Sequence, residues 1–316
     1  VSAGIKIIRS GTTNFGIKAI INESKKKQAD LKTSDLSFII APKINAAGRL
    51  SDMTIGIQCL LAENLDQASG FAKQLIKFNE NRKLIESDMV LSAIEELNDQ
   101  SFKISHSIVL TNDKWHQGVV GILASRLKEK YFRPTIIFAS FNDEMIKGSG
   151  RSIDSFHLRD ALDLISKRHP SLIKTFGGHA MAAGLSIKKN DFKKFSEIFE
   201  LTCQEFMTPD LLNQTVEYDK SIEPENLNYP LAKMINEQVW GQGFPAPFFV
   251  DKFVVIHQEV IGEKHLKCFL KCEKKYQAIF FNHNQKLPDK IKAVYSIDTN
   301  EFNGNKSLQI IIKSIM

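Results

Sequence analysis

Apolar residues recur at helical spacing in the first third of the chain. Residues 1–32 are predicted to be helical, and a long amphipathic helix is predicted from Asp66 to about Leu97, with Asp66 as a suitable N-cap. At 1.5 Å per residue, a continuous helix of this length measures about 50 Å. Such a length favours a strut between two domains over a core helix.

From about residue 104 onward, short apolar runs alternate with amphipathic helices. The predicted strands contain the segments HSIVLTND, TIIFAS, EMIKGSGRS and GLSIKK. Strands interleaved with helices predict an α/β domain that closes near residue 208. Five further strands then follow without long helices between them, in FFVDKFVVIHQEV, HLKCFLKCE, YQAIFF, IKAVYSID and LQIIIKSI. That pattern predicts a five-stranded OB-like β-barrel.

The predicted fold is therefore an α/β domain that is preceded by a long connecting helix and followed by an OB-like barrel. We assign residues 66–100 to the connecting helix, 101–210 to the α/β domain and 211–316 to the barrel. Residues 1–65 are assigned to the end of a preceding region and its linker. The first residues, VSAGIKIIRSG, resemble the middle of a helix, and we expect a piece of a longer protein.

Composition narrows the class of protein. The 316 residues are 43% hydrophobic and 25% charged, which is typical of a globular protein. No apolar run approaches the roughly 20 residues that span a membrane, so no membrane partner is expected. Four cysteines in so long a chain do not form a disulfide framework, which favours a cytoplasmic location.

The net charge of +6 is unevenly distributed. Residues 248–316 hold eleven Lys and no Arg against seven Asp or Glu, and so carry +4 of it. A basic excess in one module indicates a polyanionic partner. A lysine-rich surface that only keeps the protein solvated explains the same excess equally well.

Three glycine-bearing stretches of the α/β domain carry candidate chemistry. KWHQGVVGI places polar side chains just before a helix N-terminus, where anions bind well, and GSGRS places Ser and Arg on a glycine-softened loop. FGGHAMAAG places a histidine after two glycines. Each stretch alone is more often a simple turn, but three in one small domain favour a phosphodiester ligand. The candidate residues are His116, Ser149, Arg151, Gly177, Gly178 and His179.

The order and spacing of PKINAAGRL, WHQGVVGI, KGSGRS and FGGHAMAAG resemble the bacterial RecJ single-strand-specific exonucleases of the DHH phosphoesterase superfamily. The resemblance covers nearly the whole chain. The α/β domain resembles the DHH-associated domain, which small oligonucleotide and cyclic-dinucleotide phosphodiesterases share. The PKINAAGR segment, the long strut and the terminal barrel favour RecJ within that superfamily.

The resemblance implies a 5′→3′ exonuclease that acts on single-stranded DNA in repair and recombination, with Mn²⁺ or Mg²⁺ as cofactor. It further implies single-strand-binding protein and a helicase as partners. By position, Arg49, Ser149 and Arg151 match residues that hold the 5′-terminal phosphate. Gly177, Gly178 and His179 match the motif that lines the substrate channel, with His179 beside the active site.

One feature of the family is missing from this sequence. The family's metals bind to an N-terminal domain named for an Asp-His-His motif, and this chain has neither that motif nor an Asp-x-Asp pair. Hard divalent cations need clustered carboxylates. We therefore expect no catalytic residue and no bound metal in this chain, and no activity of the chain alone.

The barrel contains candidate residues for binding single-stranded DNA. They are Lys264, Lys267, Phe302 and Lys306, where the lysines would follow phosphates and the aromatic ring would stack on a base. Two other functions stay open. One is an oligoribonuclease or cyclic-dinucleotide phosphodiesterase of the same superfamily, and the other is a non-catalytic single-strand-binding accessory module.

Overall fold

A computed structural model describes residues 1–99, 106–241, 243–302 and 304–316, without the side chains of Asp99 and Phe302. The chain forms two compact units. The larger unit comprises Thr13–Gln28 and Ser37–Gln214, and the smaller comprises Val1–Thr12, Ala29–Leu36 and Thr215–Met316. The domain boundaries proposed from the sequence stay predictions.

The elements are numbered in chain order. The helices are α1 (Ser2–Arg9), α2 (Phe15–Glu23), α3 (Thr33–Asp35), α4 (Ala41–Leu50), α5 (Thr54–Leu61), α6 (Leu65–Asp99), α7 (Val120–Tyr131), α8 (Leu158–Arg168), α9 (Phe192–Phe206) and α10 (Tyr229–Glu237). The strands are β1 (Ile108–Asn112), β2 (Thr135–Ser140), β3 (Met145–Arg151), β4 (Ile173–Gly178), β5 (Ala182–Lys188), β6 (Phe249–Ile261), β7 (His265–Lys271), β8 (Lys275–Phe280), β9 (Lys290–Phe302) and β10 (Asn305–Ile315).

The larger unit is built on a five-stranded sheet of order β1-β2-β3-β5-β4. β1 and β2 are parallel, and the remaining pairs are antiparallel. On one face, α7 packs against Ile137 and Ala139 of β2. On the other face, side chains of α8 and α9 pack around Phe138 and Leu185. The predicted α/β domain is confirmed.

The smaller unit contains a closed five-stranded barrel of order β10-β8-β7-β6-β9. β8 and β10 pair in parallel, and the other neighbouring strands are antiparallel. Its interior is filled by alternate residues of each strand, among them Phe253, Leu266, Tyr295 and Ile310. The predicted OB-like barrel is confirmed.

Four local predictions were wrong. The predicted helix over residues 1–32 is broken near Gly11, whose positive φ of 87° ends α1. Asn64 rather than Asp66 caps α6, because its Oδ1 accepts the Gln67 N–H at 2.9 Å. β4 was missed, since its sequence IKTFGG shows no regular alternation of apolar and polar residues and ends in two glycines. Ser149 and Arg151 lie on β3 itself and not on a loop after it.

No helix in the described part of the chain has the length and apolarity needed to cross a membrane.

Candidate functional site

β3 carries two of the predicted binding residues on one face. Side chains alternate along a strand, so Lys147, Ser149 and Arg151 share the face that α7 covers in part. The Arg151 guanidinium donates from Nη1 to Ser149 Oγ at 3.1 Å and to the Gly150 carbonyl oxygen at 2.7 Å. Arg151 is therefore held in place while other guanidinium N–H groups stay available to a ligand.

Two glycines allow close packing around α7. Gly121 lets α7 approach β3, and Gly118 lets the turn before α7 approach α4. A Cβ on Gly121 would lie 2.9 Å from Ser149 Oγ and 3.0 Å from Arg151 Nη2. A Cβ on Gly118 would lie only 2.1 Å from the Arg49 carbonyl oxygen. Arg49 in turn donates from Nη1 to the Gly118 carbonyl oxygen at 3.0 Å. The predicted residues Arg49, Ser149 and Arg151 thus meet at the N-terminus of α7.

The two arginines form a positive site in which neither guanidinium is ion-paired within the described ranges. Burial lowers the pKa of Arg151, and the charge of Arg49 lowers it further. Burial also lowers the pKa of Arg49, with a smaller contribution from Arg82 that Glu86 partly offsets. Within the described ranges, neither Arg49 nor Arg151 forms an ion pair with a carboxylate. An anion bound here would relieve both burial and mutual repulsion.

A partly buried ion-pair network between α6 and α7, which was not predicted from the sequence, lies next to this site. Arg82, which is 9% exposed, donates to Glu86 at 2.6 Å, and Arg126 of α7 donates from Nε to the same carboxylate at 2.7 Å. The spacing of Arg82 and Glu86, one helical turn apart, was the available signal. The network ties α6 to α7 and adds positive charge near Arg49.

His116 has a structural role that the sequence left open. It is exposed, and its Nδ1 accepts the Gly118 N–H at 3.0 Å. Its carbonyl oxygen accepts the N–H groups of Val119 and Val120 at 2.9 and 3.2 Å. The imidazole therefore closes the turn that leads into α7, and only its Nε2 remains for a ligand.

The glycine-histidine stretch forms the hairpin between β4 and β5. Gly178 has a φ of 147°, and a Cβ there would lie 2.3 Å from the Ala182 carbonyl oxygen. The His179 N–H donates to that oxygen at 2.8 Å, and the imidazole is exposed. The Met181 carbonyl oxygen accepts the Ser152 N–H at 3.0 Å, which fixes the hairpin at the Arg151 end of β3.

Gly177 and Gly184 differ from Gly178, because the fold does not require them. They lie opposite each other in the β4–β5 register, and Gly184 lies opposite Ser149. A Cβ on Gly177 would meet no described atom within 4 Å, and one on Gly184 would meet only the Gly148 carbonyl oxygen at 3.9 Å. These glycines keep a solvent-facing surface flat.

We call this surface the bare face, since α7 covers β2 and β3 but leaves β5 and β4 open. It comprises Lys147, Ser149 and Arg151 of β3, Ala182, Gly184 and Ser186 of β5, and Thr175 and Gly177 of β4. Its side chains are small except at β3, where they are basic or hydroxylated. Backbone and ligand can therefore approach closely beside Arg151.

The predicted barrel residues are less concentrated. Lys264 and Lys306 are exposed, whereas Lys267 forms an ion pair with Glu259 at 3.2 Å. Phe302 ends β9, and its side chain lies outside the described residues. Among the described residues, Lys264, Lys267 and Lys306 do not contact one another.

An aromatic residue that the sequence analysis missed lies on the outer surface of the barrel. Phe269, at the middle of β7, is 38% exposed and lies 6.4 Å from the His257 ring, centroid to centroid. Exposed Lys271 follows on the same strand face. The alternation in HLKCFLK, in which Leu266, Cys268 and Leu270 are buried, was the signal for an outward Phe269.

The described residues do not fit a divalent metal site. No group of three His, Cys, Asp or Glu side chains in the described ranges is placed to hold a metal ion. Mg²⁺ and Mn²⁺ need clustered oxygen ligands. The site around Arg49 and Arg151 consists instead of guanidinium and hydroxyl groups.

A part of each unit matches a known domain family. Residues 103–205 match the DHHA1 domain, and residues 218–314 match the RecJ OB domain. Together with the site geometry, this defines a chain that pairs a DHHA1 domain with a RecJ-type OB barrel.

Two curated relatives and one solved structure show what the whole chain is similar to. The chain is 40% identical over 99% of its length to the single-stranded-DNA-specific exonuclease RecJ of Escherichia coli, and 28% identical over 96% to that of Bacillus subtilis. It spans 56% and 39% of those relatives. A crystal structure of Thermus thermophilus RecJ with Mg²⁺ matches with a TM-score of 0.81 at 25% identity, covering 100% of this chain and 48% of that one. The RecJ resemblance stated from the motifs is confirmed.

Proposed function

We propose that this chain is the DNA-holding part of a 5′→3′ single-stranded-DNA exonuclease that acts in repair and recombination. The observation that carries the proposal is the pair of partly buried guanidiniums, Arg49 and Arg151, which have no carboxylate partner among the described residues. The relatives' printed name, single-stranded-DNA-specific exonuclease, supports the substrate class.

The pocket suits a terminal phosphate better than an internal one. A terminal phosphate carries up to two negative charges, whereas a phosphodiester carries one. Arg49 and Arg151 supply two positive charges, and Arg151 and Ser149 offer hydrogen-bond donors at the N-terminus of α7, which also favours anions. Binding the end of the strand here positions the following nucleotides along the bare face.

His179 is proposed to act beside the reacting phosphodiester. Its imidazole is exposed at the hairpin that lies against the Arg151 end of β3. A donor at this place orients the strand for cleavage by groups that the described residues do not contain. Crystal structures of RecJ contain Mg²⁺ or Mn²⁺, and we propose the same cofactors for the longer protein.

The barrel is proposed to hold the strand further from its end. Its net charge of +4 and its exposed lysines, Lys264 and Lys306 among them, support this role. Single-strand-binding protein and a helicase are the proposed protein partners, and co-purification with the longer protein would test them.

The test compares Arg151→Ala with Arg168→Ala in binding to oligonucleotides with and without a 5′-phosphate. Arg168 is an exposed arginine of the same unit that pairs with Glu205, and it is the matched control. Arg151→Ala should weaken binding of the phosphorylated strand by about 2–3 kcal/mol, because charge-assisted bonds are lost. Equal losses on phosphorylated and hydroxyl ends would remove Arg151 from this role.

A further inference from the structure

Lys147 lies on the same strand face as the residues of the proposed phosphate pocket. Lys147, Ser149 and Arg151 are two residues apart in turn, and two residues of a strand advance by about 6.6 Å. Two residues of an extended polypeptide contain as many backbone bonds as one nucleotide of an extended single-stranded nucleic acid. The side chains of β3 therefore repeat at close to the spacing of successive phosphates.

The Lys147 ammonium is fixed but not neutralised. Its Nζ lies 3.3 Å from the centroid of the Phe141 ring, which holds a cation by its π-electrons. No carboxylate in the described part of the chain pairs with it. Phe141 is itself held in a tight turn, because the N–H groups of Phe141 and Asn142 donate to the Met145 carbonyl oxygen at 3.0 and 3.2 Å.

α7 packs on Ser149 between Lys147 and Arg151, so a strand would have to pass beside β3, over the small residues of β5. The residues opposite Lys147 and Arg151 on β5 are Ser186 and Ala182, and Gly184 lies opposite Ser149 between them. The space above Gly184 and Gly177 is open. A strand whose end is held at Arg151 can therefore lie flat over this surface and reach Lys147.

We propose that Lys147 is a second phosphate-binding residue, which takes the third phosphate of a strand whose terminal phosphate lies at Arg151 and Ser149. The inference rests on the proposed function, since it takes the end pocket as its origin. It adds a length requirement: Lys147 contributes only when the ligand has at least three phosphates.

The experiment measures binding of 5′-phosphorylated oligothymidylates of one to six nucleotides to the 316-residue chain, by NMR titration or fluorescence anisotropy. Lys147→Ala should leave affinity for one and two nucleotides unchanged and weaken binding five- to tenfold from three nucleotides onward. The log–log salt slope for the longer strands should fall by about 0.7, which corresponds to one phosphate of a single strand. Lys147→Arg should restore most of the affinity.

Two variants separate a binding role from a structural one. Lys194→Ala removes an exposed lysine from α9, on the other side of the sheet, and should change nothing. Phe141→Leu leaves the charge but removes the ring that holds it. It should show the same dependence on length with a smaller loss, of two- to threefold.

The outcomes also separate this inference from the proposed function. If Arg151→Ala weakens binding while Lys147→Ala has no effect at any length, Lys147 is not a phosphate ligand and the end pocket stands. A loss with Lys147→Ala that is already complete for the mononucleotide overturns the inference too. If Arg151→Ala has no effect on any length, the proposed function itself is wrong.

Discussion

The adjacent glycines of the hairpin have different roles. Gly178 is required by the fold, because its φ is positive and a Cβ would overlap the backbone of Ala182. A Cβ added at Gly177 would have open space around it, so packing does not require a glycine at this position. Its role follows from the flat surface that it makes beside Ser149 and Gly184.

We therefore expect opposite results from the two alanine substitutions. Gly178→Ala should lower the free energy of unfolding by about 1–3 kcal/mol, because the backbone is strained. Gly177→Ala should change it by less than about 0.5 kcal/mol but should weaken binding of phosphorylated oligonucleotides. Urea denaturation and oligonucleotide titration measure the two effects. A large loss of stability in Gly177→Ala would show that the glycine is structural after all.

At the scale of elements, one carboxylate fastens β1 to α9. Glu200 accepts the His106 N–H at 2.9 Å and the Ser107 hydroxyl at 2.5 Å. Burial tends to raise the pKa of Glu200, but hydrogen bonds from Ser107, from the His106 N–H and from Gln204 outweigh it and lower the pKa below its ordinary value. A carboxyl group with a depressed pKa stabilises the fold when it is ionised.

This contribution should depend on pH with a definite sign. It is fully present above the pKa of an unfolded glutamate, about 4.3, and is lost as the pH falls through the lower folded pKa. Glu200→Gln should therefore be less stable than the wild type at pH 7, and the difference should shrink towards pH 3. Denaturation curves at both values measure it. A difference of equal size at pH 3 would show that the charge of Glu200 is not responsible.

Strand β7 gives a second prediction at this scale. Phe269→Ala should weaken binding of long single strands by about 1–3 kcal/mol without changing the salt slope, because base stacking involves no counterion release. Lys271→Ala should instead flatten the slope by about 0.7. Phe206, an exposed aromatic residue of α9, provides the control substitution. If Phe269→Ala and Phe206→Ala behave alike, the outer face of β7 does not stack bases.

At the scale of the whole molecule, binding and cleavage should separate. The chain carries the proposed end pocket and barrel, whereas the described residues provide no cluster of metal ligands. We expect the 316-residue chain to bind single-stranded DNA and not to hydrolyse it with Mn²⁺ or Mg²⁺. A labelled oligonucleotide incubated with the purified chain tests this. Degradation that Arg151→Ala abolishes would contradict it.

The sequence by itself determined the order of the α/β domain and the barrel and most of their elements, although β4 was missed. Helical and alternating patterns of apolar residues indicate which side of an element is buried. These patterns lie within short segments of the chain and do not depend on distant residues. The α/β domain, the five barrel strands and the long helix α6 could therefore be predicted without contacts. The motifs around Ser149, Arg151 and His179 also gave the RecJ resemblance, because their spacing along the chain is itself a sequence property.

The tertiary structure decided which distant residues meet. The pattern of apolar and polar residues around Arg49 does not indicate that its backbone lies against Gly118, and only the family resemblance grouped its charge with that of Arg151. The different roles of Gly177 and Gly178 depend on the atoms across the hairpin. Long-range packing fixes these contacts, and a one-dimensional pattern of polarity carries no information about the partner on the neighbouring strand or helix.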